Sequence, residues 1–258
     1  MLAAIVIAAL VPGVVTRADP AAIEILARLA PPSPSHLLGT DHIGRDLLAR
    51  LIYGARISLL VALTSVGAAS LIGVTLGLLA GYYGGWTESV VMRVVDVFLA
   101  FPAILLALAL VAVLGASAGS VIIALALVFW TQYARIVRAA TLAEREKAYV
   151  EAARAIGAGD GHILFRHILP NIISPVVILA TLGMGTAVVA ESTLSFLGLG
   201  VQPPAPSWGW TLSFGTRYLR DAPHIATFSG LAIMATVLGF NLLGDGIRDR
   251  LDPKFRPQ

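Results

Sequence analysis

Glu191 stands alone within the apolar run at residues 171–197, the one carboxylate deep inside such a stretch. Burying it is costly, so it must face a cavity or hydrogen-bonding partners. Two roles fit: lining or stabilising a path for a polar solute, or a structural hydrogen bond to a neighbouring helix. Nucleophilic chemistry has one candidate, GASAG at residues 115–119, which matches G-x-S-x-G. That motif requires a strand before the serine, a helix after it, and a histidine and an acid in reach. Helical sequence flanks Ser117 on both sides, so it reads as a turn residue. An intramembrane protease, the enzyme-class alternative, needs a histidine inside a span, and only His224, at the edge of one, comes near. His36, His42, His162, His167 and His224 offer no pair at ligand spacing on one helix face, and without cysteine there is no thiolate metal site or disulfide. A nucleotide loop needs G-x-x-x-x-G-K-[ST], and neither lysine, Lys147 or Lys254, follows a glycine. No catalytic residue, metal site or cofactor is expected in this chain.

The elements that carry these residues follow from composition. Hydrophobic residues make up 57% of the 258 positions, charged ones only 13%, and the mean hydropathy is +0.85. Soluble domains carry about 25% charged residues, so this is a polytopic membrane protein. A net charge of +3 gives no reason to expect nucleic acid as a partner. A helix needs about 20 apolar residues to cross hydrocarbon. Residues 57–80 suffice. Residues 97–134 carry no charge and would extend about 57 Å as one helix, so GASAG must divide them into two spans. Residues 171–197 and 222–243 supply two more. Residues 2–15 are short and read as a first span rather than a signal peptide, because a basic leader is missing. The expectation is all-α with six transmembrane helices.

Lys and Arg concentrate in the segments that this topology places on one side: Arg93, the run from Arg135 to Arg166, and Arg248, Arg250, Lys254 and Arg256. The positive-inside rule makes that side cytoplasmic, with both termini there. The chain then divides into a first span (1–17), an outer loop with an interfacial helix (18–56), a transmembrane core (57–243) with a cytoplasmic loop at 135–170, and a cytoplasmic tail (244–258). In the outer loop Leu47, Leu48, Leu51, Ile52 and Ala55 share one helical face, opposed by Arg45, Arg50 and Arg56, as in a helix lying at the interface. Trp208, Trp210, Phe214 and Tyr218 suit the headgroup belt. Arg93 and Asp96 are spaced to pair at the inner end of the third span.

Between two apolar runs lies EAARAIGAGDGHILFRHILPN, residues 151–171. Tyr149, Ala152, Ala153 and Ile156 make a small-residue stripe at helical spacing, open either to a docked partner or to solvent. Glu151 and Arg154 are spaced to pair. Gly157, Gly159 and Gly161 end the helix, Asp160 is placed to cap the next turn, and Pro170 closes the polar part before the fifth span. In the second span Gly73, Gly77 and Gly81 form G-x-x-x-G-x-x-x-G, which lets another helix approach closely; a surface that slides during transport is the other reading.

The 151–171 segment resembles the EAA loop of ABC importer permeases, on Glu151, Ala152, Ala153, Gly157, Ile168, Leu169, Pro170 and Asn171; it departs from the I-x-LP-N pattern in that Ile168 directly precedes Leu169-Pro170. LGTDHIGRDLLARLIYGARISL, GYYGGW, VVDVFLAFP, AESTLSFLGLGVQPPAPSWG and NLLGDGIRDRLDPK are similar to the second permease subunit of the dipeptide/oligopeptide (and nickel) branch, binding-protein-dependent transport inner membrane components. The resemblance covers nearly the whole chain from Leu38 onward and implies a type I ABC importer permease fold in a bacterial inner membrane. It makes Tyr149, Glu151, Ala152, Ala153, Ile156, Gly157, Leu169 and Pro170 the residues that couple to ATPases through a cytoplasmic coupling helix. It implies as partners a second homologous permease, two ABC ATPase subunits that bind ATP and magnesium, an extracellular or periplasmic binding protein and a peptide substrate. The same machinery importing nickel chelates, glutathione or another small solute is the alternative. A secondary transporter would show internal repeats and broken helices at a midplane site; no convincing repeat is present.

Overall fold

The computed structural model describes residues 1–251, so Lys254 and Arg256 lie outside the described residues. Among the described residues the architecture is helical, and the one extended pairing is an isolated antiparallel bridge between Thr40 and Asp46. Helix is what this composition requires: in hydrocarbon every backbone N–H and C=O must find its partner within its own segment.

The chain opens with α1 (Leu2–Leu10) and α2 (Pro12–Val15). Pro12 has no N–H to continue the first helix. The stretch expected as a short first span is thus helical in two pieces, the longer of nine residues, a rise of about 14 Å against a hydrocarbon core of about 30 Å. After an irregular stretch with one 3-10 turn at Ile25–Ala27 comes α3 (Leu47–Tyr83), 37 residues without a break. The expected interfacial helix is therefore the first turns of the span, not a separate element. Its charged side is not solvated either: Arg45 and Arg50 are buried, 2.6 Å and 3.4 Å from the buried Asp41 carboxylate. Paired burial removes the reason for that face to seek water.

α4 (Gly85–Leu99) and α5 (Ala103–Leu114) meet at a bend of 88°. The helix expected to start at Val97 is instead interrupted at residues 100–102 and resumes at Ala103. Pro102 sets this boundary, since the residue before a proline is pushed out of helical geometry. The division at GASAG holds: Gly115 turns with φ +88°, and Ser117 Oγ accepts the Ser120 N–H at 3.0 Å as α6 (Ala118–Arg145) begins. Ser117 is a turn residue with helices on both sides. There follow α7 (Ala148–Ala155), α8 (Asp160–His162), a π turn at Ile163–Ile168, α9 (Leu169–Phe196), α10 (Trp208–Arg217) and α11 (Pro223–Leu251). Pro170 does not separate a polar lead-in from the fifth span, because the helical run is continuous from Asp160 to Phe196. The π turn shifts the hydrogen-bond spacing ahead of the proline, whose missing N–H then interrupts nothing. Among the described residues four helical runs are long and apolar enough to cross a membrane, five if the bent α4–α5 pair is one broken span.

Packing divides the chain into two compact units. One comprises Met1–Thr64, Ala107–Ala124 and Met184–Leu242. In it the Trp208 indole N–H donates to Leu51 O at 2.8 Å, the His42 ring stacks on Phe214 at 4.1 Å, and Arg28 lies over Tyr218. Trp208 is only 2% exposed. Trp208 thus ties α10 to α3, and Phe214 packs α10 on the 36–46 segment.

The other unit comprises Ser65–Leu106, Leu125–Gly183 and Leu243–Gln258. Its centre is the contact of α3 with α6. A Cβ on Gly77 would lie 2.7 Å from Ala134 O, and one on Gly81 2.6 Å from Thr141 Cβ; Gly73 abuts Trp130 O and Tyr133 in the same way. The backbones touch where only hydrogen fits, which is the close-packing reading of the glycine series. Asp96 pairs with Arg135 at 2.8 Å, not with Arg93.

Two outcomes follow. Gly77→Leu should lower the melting temperature of the purified chain in detergent, since overpacking a tight contact costs about 1–3 kcal/mol or more; an unchanged melting curve would contradict the contact. Burial lowers the His42 pKa below its usual 6.5, outweighing the nearby Asp41 carboxylate, with Arg45, Arg50 and Arg28 acting in the same direction. The folded state thus favours neutral imidazole, and this stability is present above pH 6.5 and lost as pH falls through the lowered value. Amide protection in residues 36–46, corrected for the intrinsic exchange rate, should fall below pH 6.5, and His42→Phe should flatten that dependence.

Candidate functional site

The polar segment after α6 is built from short pieces. Lys147, extended at φ −78° and ψ 145°, starts α7, and Glu151 sits in its first turn. Gly157 ends it at φ +83°. The Gly157 N–H returns to Arg154 O and the Ala158 N–H to Ala153 O, closing the last turn. Nothing lies within 4 Å of a Cβ placed on Gly157, so its constraint is the positive φ alone. Asp160 does not cap α8, whose N-cap is Gly159. Its carboxylate accepts the Tyr82 hydroxyl at 2.8 Å.

Val150 and Ala153 turn inward and are buried, whereas Tyr149, Glu151, Ala152 and Ile156 are exposed, Ile156 by 86%. The stripe read from spacing is thus split, because Ala153 packs against its own chain. Phe165, 66% exposed, extends the outward apolar surface, and nothing in the spacing singled it out. Leu169 is half-buried and Pro170 exposed. Arg154 leaves Glu151 unpaired among the described residues and lies over the Tyr82 ring at 5.2 Å.

The segment is braced from three sides. At the end of α6, Glu144 accepts the Tyr149 hydroxyl and pairs with Lys147 at 2.8 Å. At the start of α9, Asn171 donates to Tyr149 Oη at 3.1 Å and to His167 O at 2.7 Å. At the end of α3, the Tyr82 hydroxyl donates to Asp160, and Arg145, the last residue of α6, donates to Gly81 O at 2.8 Å and to Tyr82 O at 3.2 Å. Desolvation, and then the Glu144 carboxylate, push the Tyr149 phenol up to about 12, so it remains a neutral donor. In the same unit Glu88, Asp96, Arg93, Arg135 and Arg138 line an open cleft of about 580 Å³, with Arg138 paired to Glu88. These ion pairs join residues 39 and 50 positions apart, a separation that local spacing does not reveal.

Glu191, in the other unit, is completely buried. Ser195 donates to its carboxylate at 2.7 Å, Ser58 at 2.9 Å, Ser207 at 3.3 Å and Ser192 at 3.5 Å. The carboxylate faces hydroxyls, not a cavity, and ties α3, α9 and the start of α10. Gly209, set against Ser192 O and Ser195, lets α10 come this close. The sequence analysis named none of these serines; Ser195 lies one helical turn from Glu191, a spacing that could have found it, whereas Ser58 and Ser207 carry no local signal.

A family model described as "Binding-protein-dependent transport system inner membrane component" matches residues 73–257. The chain is 48% identical over 229 residues to the dipeptide transport system permease protein DppC of Alkalihalophilus pseudofirmus, covering 89% of this chain and 75% of that one. It is 49% identical over 225 residues to the glutathione transport system permease protein GsiD of Pectobacterium atrosepticum, covering 87% and 75%. An inward facing structure of the MetNI methionine ABC transporter matches with a TM-score of 0.62 at 22% identity, covering 78% of this chain and 96% of that chain. The chain belongs to the family of binding-protein-dependent transport system inner membrane components. Its fold is that of type I ABC importer permeases, and it is a multi-pass transport component, not an enzyme.

Replacing Glu191 should separate charge from hydrogen bonding. Glu191→Leu strands several buried hydroxyls, at about 1–3 kcal/mol for each unsatisfied group, and should lower the melting temperature more than Glu191→Gln, which keeps one acceptor. Equal melting temperatures would contradict the hydroxyl network.

Proposed function

We propose that this chain is the second permease subunit of an ATP-driven importer of dipeptides and oligopeptides, and that α7 and α8 dock on separate ATPase subunits. The observation that carries the docking is the outward face of Tyr149, Ala152, Ile156 and Phe165, on a segment that three helices hold in place. The 48% identity to a dipeptide permease supports the substrate class. A second homologous permease completes the membrane part, two ATPases bind ATP and magnesium, and an external binding protein delivers the peptide. Arginine and lysine near α6, α7 and the π turn favour the cytoplasm for this segment and for both termini. The first-span, outer-loop, core and tail division follows this orientation.

In this mechanism the ATPases close on ATP, the docked segment moves with them, and the permease exposes its cavity outward. Gly157 lets the chain turn between α7 and α8, and Glu151 and Ala152 meet the ATPase surface. Ala153 supports α7 from behind. Leu169 and Pro170 carry the motion into α9. Glu191 acts on the translocation path by holding its walls, without touching the solute. Glutathione, itself a small peptide, is the second substrate reading, favoured by the 49% identity to a glutathione permease.

The test is a gentle detergent purification from native membranes, with mass spectrometry and an ATPase assay. Co-purification of a second permease and ATPases, with activity stimulated by a binding protein, is the expected result. Recovery of the chain alone, stable and inactive, would favour a secondary transporter. Uptake of labelled dipeptide in competition with glutathione separates the two substrates. Ala152→Arg should leave insertion intact yet abolish ATPase co-purification and lower uptake at least tenfold. Ala153→Arg would disturb α7 itself, so it does not isolate docking.

A further inference from the structure

The docking segment continues along the backbone into α6 on one side and α9 on the other, but not into α3. Tyr82 and Asp160 are 78 residues apart in sequence. The segment's direct contact with α3 is made by side chains, beside the backbone contact of α3 with α6. Three contacts meet at the C-terminal end of α3. The Tyr82 hydroxyl donates to Asp160 at 2.8 Å, and Arg154 lies over the same ring at 5.2 Å. Arg145 donates to the Gly81 and Tyr82 carbonyls, two of the acceptors that a helix end leaves without intrahelical partners. Tyr82 is buried, 8% exposed, and so lies outside the outward surface of α7. Just before it, Gly81 seats α3 against α6 with no room for a larger side chain. The end of α3 is thus held by α6 from one direction and by the segment from another.

We propose that Tyr82, gripping Asp160, is the clamp through which α3 follows the docking segment, while Arg145 fixes the same helix end to α6. Both are positioning residues: they set where α3 goes when the segment moves, and they do not contact the ATPase. The inference rests on the docking reading above. It assigns the GYYGGW motif a coupling role, with Tyr82 gripping Asp160 of the polar loop.

The experiment uses the assembled complex in proteoliposomes with its binding protein. Solute imported per ATP hydrolysed is the readout, alongside ATPase co-purification and melting temperature. Tyr82→Phe removes the hydroxyl but keeps the ring under Arg154. It should retain the ATPases and the melting temperature of the parent while importing at least threefold less solute per ATP. Asp160→Ala should cause a similar loss, and the double variant no greater loss than either, because the two side chains form one contact. Tyr82→Ala, which also removes the ring, should be worse than Tyr82→Phe. An unchanged ratio in Tyr82→Phe and Tyr82→Ala, with ATPases retained, overturns the clamp and leaves the docking reading standing. Failure of the parent chain to retain any ATPase overturns both.

Discussion

The contact of α3 with α6 at Gly73, Gly77 and Gly81 is the constraint on which the unit that carries the polar segment depends. Backbone lies against backbone along a full ridge, so neither helix can shift by a fraction of a turn without collision. In hydrocarbon there is little hydrophobic drive between helices, and this close fit with its dispersion contacts takes its place. A rigid pair results, tied further by Arg145 of α6, and the polar segment is bonded to both members: through Glu144 and Tyr149 to α6, and through Asp160 and Arg154 to α3. The short α7 has little stability alone, because an isolated helix of eight residues does not persist in water. Its place is set by neighbours.

The other unit relies on a different interaction. Glu191 collects hydroxyls from three elements, and Asp41 collects two guanidinium groups, both in buried surroundings. Each acidic group is costly to bury alone and well placed once its donors are present. Such centres specify one arrangement: a helix shifted by one residue would strand a charge. Trp208 on Leu51 and His42 on Phe214 add apolar contact around them, so the segment leading into α3 and the start of α10 behave as one piece.

Together these features suit a permease whose chemistry happens elsewhere. The described residues supply packing, turns and paired charges, and family membership explains why: a transport component must move, and partners of the kind proposed above would bind nucleotide and select solute. The polar groups within its helices therefore serve to hold shape. The charged cleft along α4 and α6 is bridged by its own ion pairs, Asp96 with Arg135 and Glu88 with Arg138.

Helical architecture, the division at Gly115, the turn at Gly157 and the polar loop itself were legible in sequence, because each depends on local properties: apolar run length, glycine at positive φ, and motif spacing. The role of the three glycines was legible for the same reason, since the period of four names a helix face. Other features were decided by tertiary structure. Whether Ala153 points out or in depends on what lies behind α7, and Ala152 and Ala153 look alike in the string. Arg45 and Arg50 read as solvated because their partner, Asp41, precedes the helix and folds back onto it. Asp96 chose Arg135 over the nearer Arg93, and Glu191 found Ser58 133 residues away. Local sequence carries backbone preference and hydrophobic period, whereas the partner of a buried charge is whichever group the packed helices bring within hydrogen-bonding distance.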